Sequence, residues 1–73
     1  MDQMIEVCHE GGAWWLTAAG LSEPTLFRSG GRAEQAARRL ACCLAELGWH
    51  AQVNVHDKHN ALVGAFHYVG AEA

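Results

Sequence analysis

Arg32-Ala33-Glu34-Gln35-Ala36-Ala37-Arg38-Arg39-Leu40-Ala41-Cys42-Cys43-Leu44-Ala45-Glu46-Leu47 is the stretch that decides the fold. Its apolar residues Ala33, Ala36, Ala37, Leu40, Ala41, Cys43, Leu44 and Leu47 recur at the i, i+3, i+4, i+7 spacing of one buried helical stripe. Glu34, Gln35, Arg38, Arg39, Cys42 and Glu46 fall on the other side. Ser29-Gly30-Gly31 leads into the helix, Glu34 stands in its first turn where the dipole favours negative charge, and Gly48 is placed to end it. A stripe made mostly of alanine lets such a helix lie close against a sheet.

The flanking chain has strand chemistry. Met4 to His9 puts Ile5 and Val7 on one face, Gly11-Gly12 supplies a tight turn, and Ala13 to Ala18 forms a second strand. Gly20-Leu21-Ser22-Glu23-Pro24 breaks the pattern before a short strand over Thr25–Arg28. After the helix, Ala51 to His56 alternates with period two, Asp57-Lys58-His59-Asn60 turns the chain, and Ala61 to Val69 reads as a last strand. The expectation is a single α+β domain over residues 1–73, an antiparallel sheet with one amphipathic helix packed on one face, in the order β-β-β-α-β-β.

Size and composition narrow the function. Seventy-three residues leave room for one core and no second domain. A chain of this length buries only about 60% of its unfolded surface, so its stability is marginal without help. The residues are 51% hydrophobic and 18% charged, an excess of apolar side chains over what a small interior can hold. Eight acidic against five basic groups give a net charge of −3, which points away from nucleic-acid backbones and toward protein or small-molecule partners. Cys8, Cys42 and Cys43 are an odd number without framework spacing. Met1 to Glu10 carries Asp2, Glu6 and Glu10 and no apolar signal segment, and no apolar run approaches the length of a membrane span. A cytoplasmic protein with free thiols and no membrane association is expected.

The run Val7-x-x-x-Gly11-Gly12-x-Trp14, followed by Ser29, an Ala/Arg-rich helix and Val53-x-Val55-His56-Asp57, resembles a family of small uncharacterised bacterial domains. The likeness covers nearly the whole chain and implies a fold without an assigned activity. Gly11-Gly12-x-Trp14-x-Leu16-Thr17, Gly20-Leu21, Ser29 and Ala33-Glu34-x-Ala36 are also similar, in order and spacing, to the N-terminal domain of HicB-like antitoxins. That resemblance implies a β-β-β-α-β arrangement and a role in neutralising a partner. Antitoxins of that kind usually add a C-terminal DNA-binding segment, which is not seen before Ala73. Neither likeness implies a catalytic residue.

The reactive side chains are few. His56-Asp57-x-His59 sits at a hairpin tip, where two imidazoles and a carboxylate would need a fourth ligand from elsewhere to hold Zn²⁺, with Cys8-His9 on the first strand as a candidate source. Surface and turn roles account for these histidines more simply, so no metal and no cofactor are expected. Cys43 falls on the apolar stripe as a core residue, and Cys42 faces outward. Ser22 and Ser29 stand at element ends, where turns and caps explain them. Gly30-Gly31 between Arg28 and Arg32 is a weak phosphate-cradle pattern, more simply a strand-to-helix turn. No nucleophile elbow, Walker loop or carboxylate pair appears, so an enzyme is not expected.

The aromatic residues carry the functional expectation. Adjacent Trp14 and Trp15 must point to opposite faces of a strand. In the last strand Leu62, Phe66 and Tyr68 share one face while Val63, Ala65, His67 and Val69 share the other. One helix covers one side only, so apolar groups are expected on an uncovered face. A homodimer stacked through that face and a docking surface for a different protein are both open readings. The reading is a non-enzymatic module that binds or neutralises a larger partner, antitoxin-like or inhibitor-like, through a sheet face or edge strand. Trp14, Trp15, Phe66, Tyr68, Arg28 and Arg32 are the candidate contacts. A phage-encoded inhibitor of a bacterial defence complex and a nucleic-acid-binding regulator are the alternatives.

Overall fold

A computed structural model describes residues 2–20 and 23–72. Leu21 and Ser22, part of the expected break before the third strand, lie outside the described residues. Five strands and one helix follow each other as β1 (Asp2–Glu10), β2 (Ala13–Ala18), β3 (Thr25–Phe27), α1 (Gly30–Glu46), β4 (His50–His56) and β5 (Leu62–Tyr68).

The element order is the expected one, but the sheet is mixed rather than antiparallel. Its strand order is β3-β2-β1-β4-β5, and β4 lies beside β1 in parallel, with Ile5 opposite Val53 and Val7 opposite Val55. The cause is the helical crossover. In the meander β3 points the same way as β1, and α1 returns the chain to start β4 in that direction again. Antiparallel pairing is confined to β1–β2, β2–β3 and β4–β5.

Glycine makes the first hairpin possible. Gly11 and Gly12 have φ of +62° and +77°, so two residues suffice to bring Glu10 opposite Ala13.

Both helix ends are closed by their own sequence. Ser29, with φ −137° and ψ 150°, is the N-cap, and its Oγ accepts from the Arg32 amide at 3.2 Å. The helix starts at Gly30, two residues earlier than its apolar pattern suggests, which leaves Glu34 beyond the first turn. At the other end Gly48 takes φ +93°. The Trp49 amide then donates to Leu44 O at 2.9 Å and the Gly48 amide to Ala45 O at 3.0 Å, the paired closure of a Schellman motif.

The core lies between α1 and one side of the sheet. Ala33, Ala37 and Ala41 are fully buried against Ile5, Val7, Leu16, Ala51, Val53 and Val55. Cys43 and Leu47, expected on this stripe, are exposed. At roughly 100° per residue Cys43 lies beyond the edge of the buried arc, and Leu47 falls past the last helical turn. The largest side chains with no exposure are only Ile5, Val7 and Val53, so the interior is thin.

The chain after β5 returns to the end of α1. The Ala71 amide donates to Ala45 O at 2.7 Å, and the Gly70 amide donates to Nδ1 of His50 at 2.9 Å. A side-chain carbon added at Gly70 would meet the Gly48 carbonyl oxygen at 2.5 Å, so the two backbones touch through glycine.

Candidate partner-binding surface

The strand β5 is one edge of the sheet, and seven residues there contain no Asp, Glu, Lys or Arg. Leu62 and Val63 are 58% and 62% exposed. The opposite edge, β3, has only three residues. Short strands, charged side chains and proline are the usual protections of a sheet edge. The β3 edge is short and follows Pro24, whereas β5 has a single irregularity, a register shift opposite Val55 and His56. That shift moves Leu62 opposite His56, so it leaves the side that Phe66 and Tyr68 share, contrary to simple alternation.

On the helix side, α1 does not fully cover β5. Phe66 and Tyr68 are half-buried there and pack at the margin of the core. Arg38 closes part of the gap: its guanidinium sits 4.6 Å from the Phe66 ring centroid, and its Nε donates to the Tyr68 hydroxyl at 3.1 Å. Glu34 stands 3.9 Å from the same guanidinium, one helical turn back. An open depression beside this cluster is lined by Gln35, Arg39, Cys42 and Cys43.

The uncovered side of the sheet differs from the apolar face that alternation implies. Its centre is polar. Gln52 Nε2 donates to Asn54 Oδ1 at 2.8 Å, and Asn54 Nδ2 lies 3.4 Å from Glu6 Oε1. Asn54 is only 7% exposed although no helix covers it, because its neighbours enclose it. Glu6 Oε2 is buried without a hydrogen-bond partner among the described residues. Apolar groups are kept to the margins: Trp15 opposite Leu26 on one flank, Met4 at one end, Leu62 on the other flank. An apolar partner stacked on this face would strip the remaining water from Glu6 and Gln52, which are still partly exposed, and this weakens the case for docking through it.

The six candidate contacts do not form one surface. Trp14 and Trp15 point to opposite sides, as adjacent strand residues must. Trp14 lies on the helix side, edge-on to His9 at 4.8 Å and against the Gly30 backbone. Trp15 lies on the uncovered side, its Nε1 donating to Glu10 O at 3.1 Å. Phe66 and Tyr68 are together under Arg38. Arg28 and Arg32 are exposed near the β3 edge and the start of α1, at the far edge of the sheet from β5. Arg38 is the contact that periodicity could not single out, since only the fold brings it to residues 66 and 68.

The cysteines and histidines are in structural settings. Parallel pairing brings Cys8 Sγ to 3.6 Å from His56 Nδ1. The same nitrogen lies 3.1 Å from Val7 O, a bond that requires Nδ1 to carry the proton. It therefore cannot accept the thiol proton. Burial, then the nearby carboxylates of Glu6 and Glu10, push the Cys8 thiol above its ordinary pKa, opposite to what a nucleophile needs. Asp57 is a turn former: Oδ1 accepts from the His59 and Ala61 amides at 2.8 and 3.0 Å, and these bonds hold its pKa below the usual value. Among the described residues no three His, Cys, Asp or Glu side chains gather as a metal site. No helix among them is long and apolar enough to cross a membrane.

Comparison with family models, curated proteins and solved structures gives no match. The functional reading therefore rests on the geometry above.

Proposed function

We propose that this chain is a protein-interaction module that works by binding, not by transforming a substrate, and that β5 with its helix-side shelf is the surface it uses. The observation that carries the reading is an uncharged, seven-residue sheet edge with Leu62 and Val63 exposed beside Arg38, Phe66 and Tyr68. A free edge offers a row of backbone donors and acceptors to an extended segment, and pockets beside it give selectivity. The shelf supplies an aromatic floor and a planar cation, the groups that most often anchor protein contacts. The resemblance to HicB-like antitoxins adds partner neutralisation as the class of role.

The test is to pan displayed random peptides against the full chain and map bound peptides by amide chemical shifts. Shifts concentrated at residues 62–68, with binding lost in Ala65→Pro, are expected. Binding confined to the polar face around Glu6, Asn54 and Gln52, or unaffected by the proline, overturns it.

The nucleic-acid alternative has less support. Arg28 and Arg32 are exposed but stand apart from the aromatic shelf, and base stacking needs cations and aromatics together.

A further inference from the structure

We propose that the open depression between α1 and β5 is a binding site for a small aromatic monocarboxylate. This goes beyond the reading of β5 as a pairing edge, since neither Leu62 nor Val63 lines the depression. Its volume is about 840 Å³, within the roughly 300–1,000 Å³ of small-molecule sites. Gly31, Gln35, Arg38 and Cys42 follow one another at three- and four-residue spacing, so a single flank of the helix forms one wall. Tyr68 joins it from β5.

Charge selects an anion. Outside α1 the chain carries six acidic residues against Arg28 and Lys58, whereas α1 carries Arg32, Arg38 and Arg39 against Glu34 and Glu46. Arg38 and Arg39 both line the depression, and Glu34 is the only acidic residue there. One carboxylate balances that single positive excess, and a phosphate dianion would exceed it. Arg39 is exposed and in no ion pair among the described residues. The Arg38–Glu34 approach, 3.9 Å between two part-exposed groups, is at the weak end of such pairs. The Tyr68 hydroxyl accepts from Arg38 Nε, so its own proton remains to be donated.

The remaining lining suits a flat apolar body. Cys42 and Cys43 are small, weakly polar walls. Phe66 packs against Arg38 but does not line the depression, so the guanidinium stands between the ring and the open space. A second ring laid on the other side of the guanidinium continues that stack, and its carboxylate then reaches toward Arg39 and the Tyr68 hydroxyl. Gly31 keeps one end open, because an added side-chain carbon there meets nothing within 4 Å.

The test titrates phenylacetate into the isotope-labelled full chain and follows amide shifts, with phenylacetamide as the neutral comparison and circular dichroism as a check on folding. Saturable shifts at Gly31, Gln35, Arg39 and Cys42 are expected for the acid, with the amide weaker by about tenfold. Arg39→Gln should weaken the acid by about tenfold and leave the amide unchanged, while Glu34→Gln should tighten the acid about threefold. Gly31→Leu, which helix propensity favours, should fill the depression and abolish binding in a folded chain. Equal affinity for acid and amide overturns the proposal, and so do shifts that survive Gly31→Leu. Binding of a Glu-bearing peptide but not of phenylacetate would assign the depression to a macromolecule and overturns it too. Ala65→Pro should leave phenylacetate binding intact, so failure of the pairing edge and failure of this site are read separately.

Discussion

Arg38, on the helix, is held over Phe66 of the edge strand at 4.6 Å, and its Nε is bonded to the hydroxyl of Tyr68 two residues on. The contact joins α1 to a strand the helix covers only in part, so Arg38 belongs to the shelf although its side chain is 49% exposed.

Replacing Arg38 separates the two roles of that contact. Arg38→Ala is expected to lower the thermal midpoint slightly and to raise the mobility of the Phe66 ring in NMR spectra. Arg38→Lys keeps the charge but loses the flat stacking group and the Nε donor. It should resemble alanine in partner binding. Full binding by the lysine variant would show that charge alone matters there.

Gly70→Ala should be among the more damaging single substitutions outside the core. The added carbon meets the Gly48 carbonyl, which is backbone and cannot swing aside. Overpacking of this kind costs about 1–3 kcal/mol. Urea denaturation is the measurement, and a midpoint equal to the parent's would contradict the close approach.

The β4–β5 turn should be acid-sensitive. Two amide donors hold the Asp57 carboxyl below its usual pKa of 3.8, so ionised Asp57 favours the folded turn. Its contribution is complete above the unfolded value, near pH 4. As pH falls through the lower folded value the contribution disappears. The His59 and Ala61 amide resonances should titrate together in that range, and Asp57→Ala should remove the titration. Turn resonances that do not move between pH 5 and pH 2 would refute the arrangement.

Thiol modification should divide the cysteines two to one. Cys42 and Cys43 are exposed, whereas Cys8 is half-buried with a raised pKa. At pH 8 an alkylating reagent should label the first two quickly and Cys8 only as the fold opens. Mass spectrometry of the labelled peptides reads the order directly; Cys8 reacting first would reverse the assignment of its environment.

The helix, its closing glycine and the Gly11-Gly12 hairpin were legible because each depends on a local pattern. Opposite placement of Trp14 and Trp15 was legible for the same reason. Sheet polarity was not, since it depends on where the crossover returns the chain, and β4 could have joined either edge as far as its own residues show. The polar centre of the uncovered face was hidden more subtly. Glu6, Gln52, Asn54 and His67 occur on three different strands, and each looks like an ordinary outward residue until pairing assembles them. Leu62 was misplaced because alternation assumes an unbroken register. The Arg38 cluster spans helix and strand, and no window along the chain contains both.

The parallel β1–β4 pair has a kinetic consequence. It joins residues 48 positions apart, such as Ile5 and Val53, and supplies all three of the largest wholly enclosed side chains. Neither the meander nor the final hairpin can complete an interior by itself, so the nucleus must wait for a long excursion of chain to close. Folding should therefore be slower than that of a helical bundle of equal size. Mutations at Ile5 or Val53 should change the refolding rate more than mutations in β3 do.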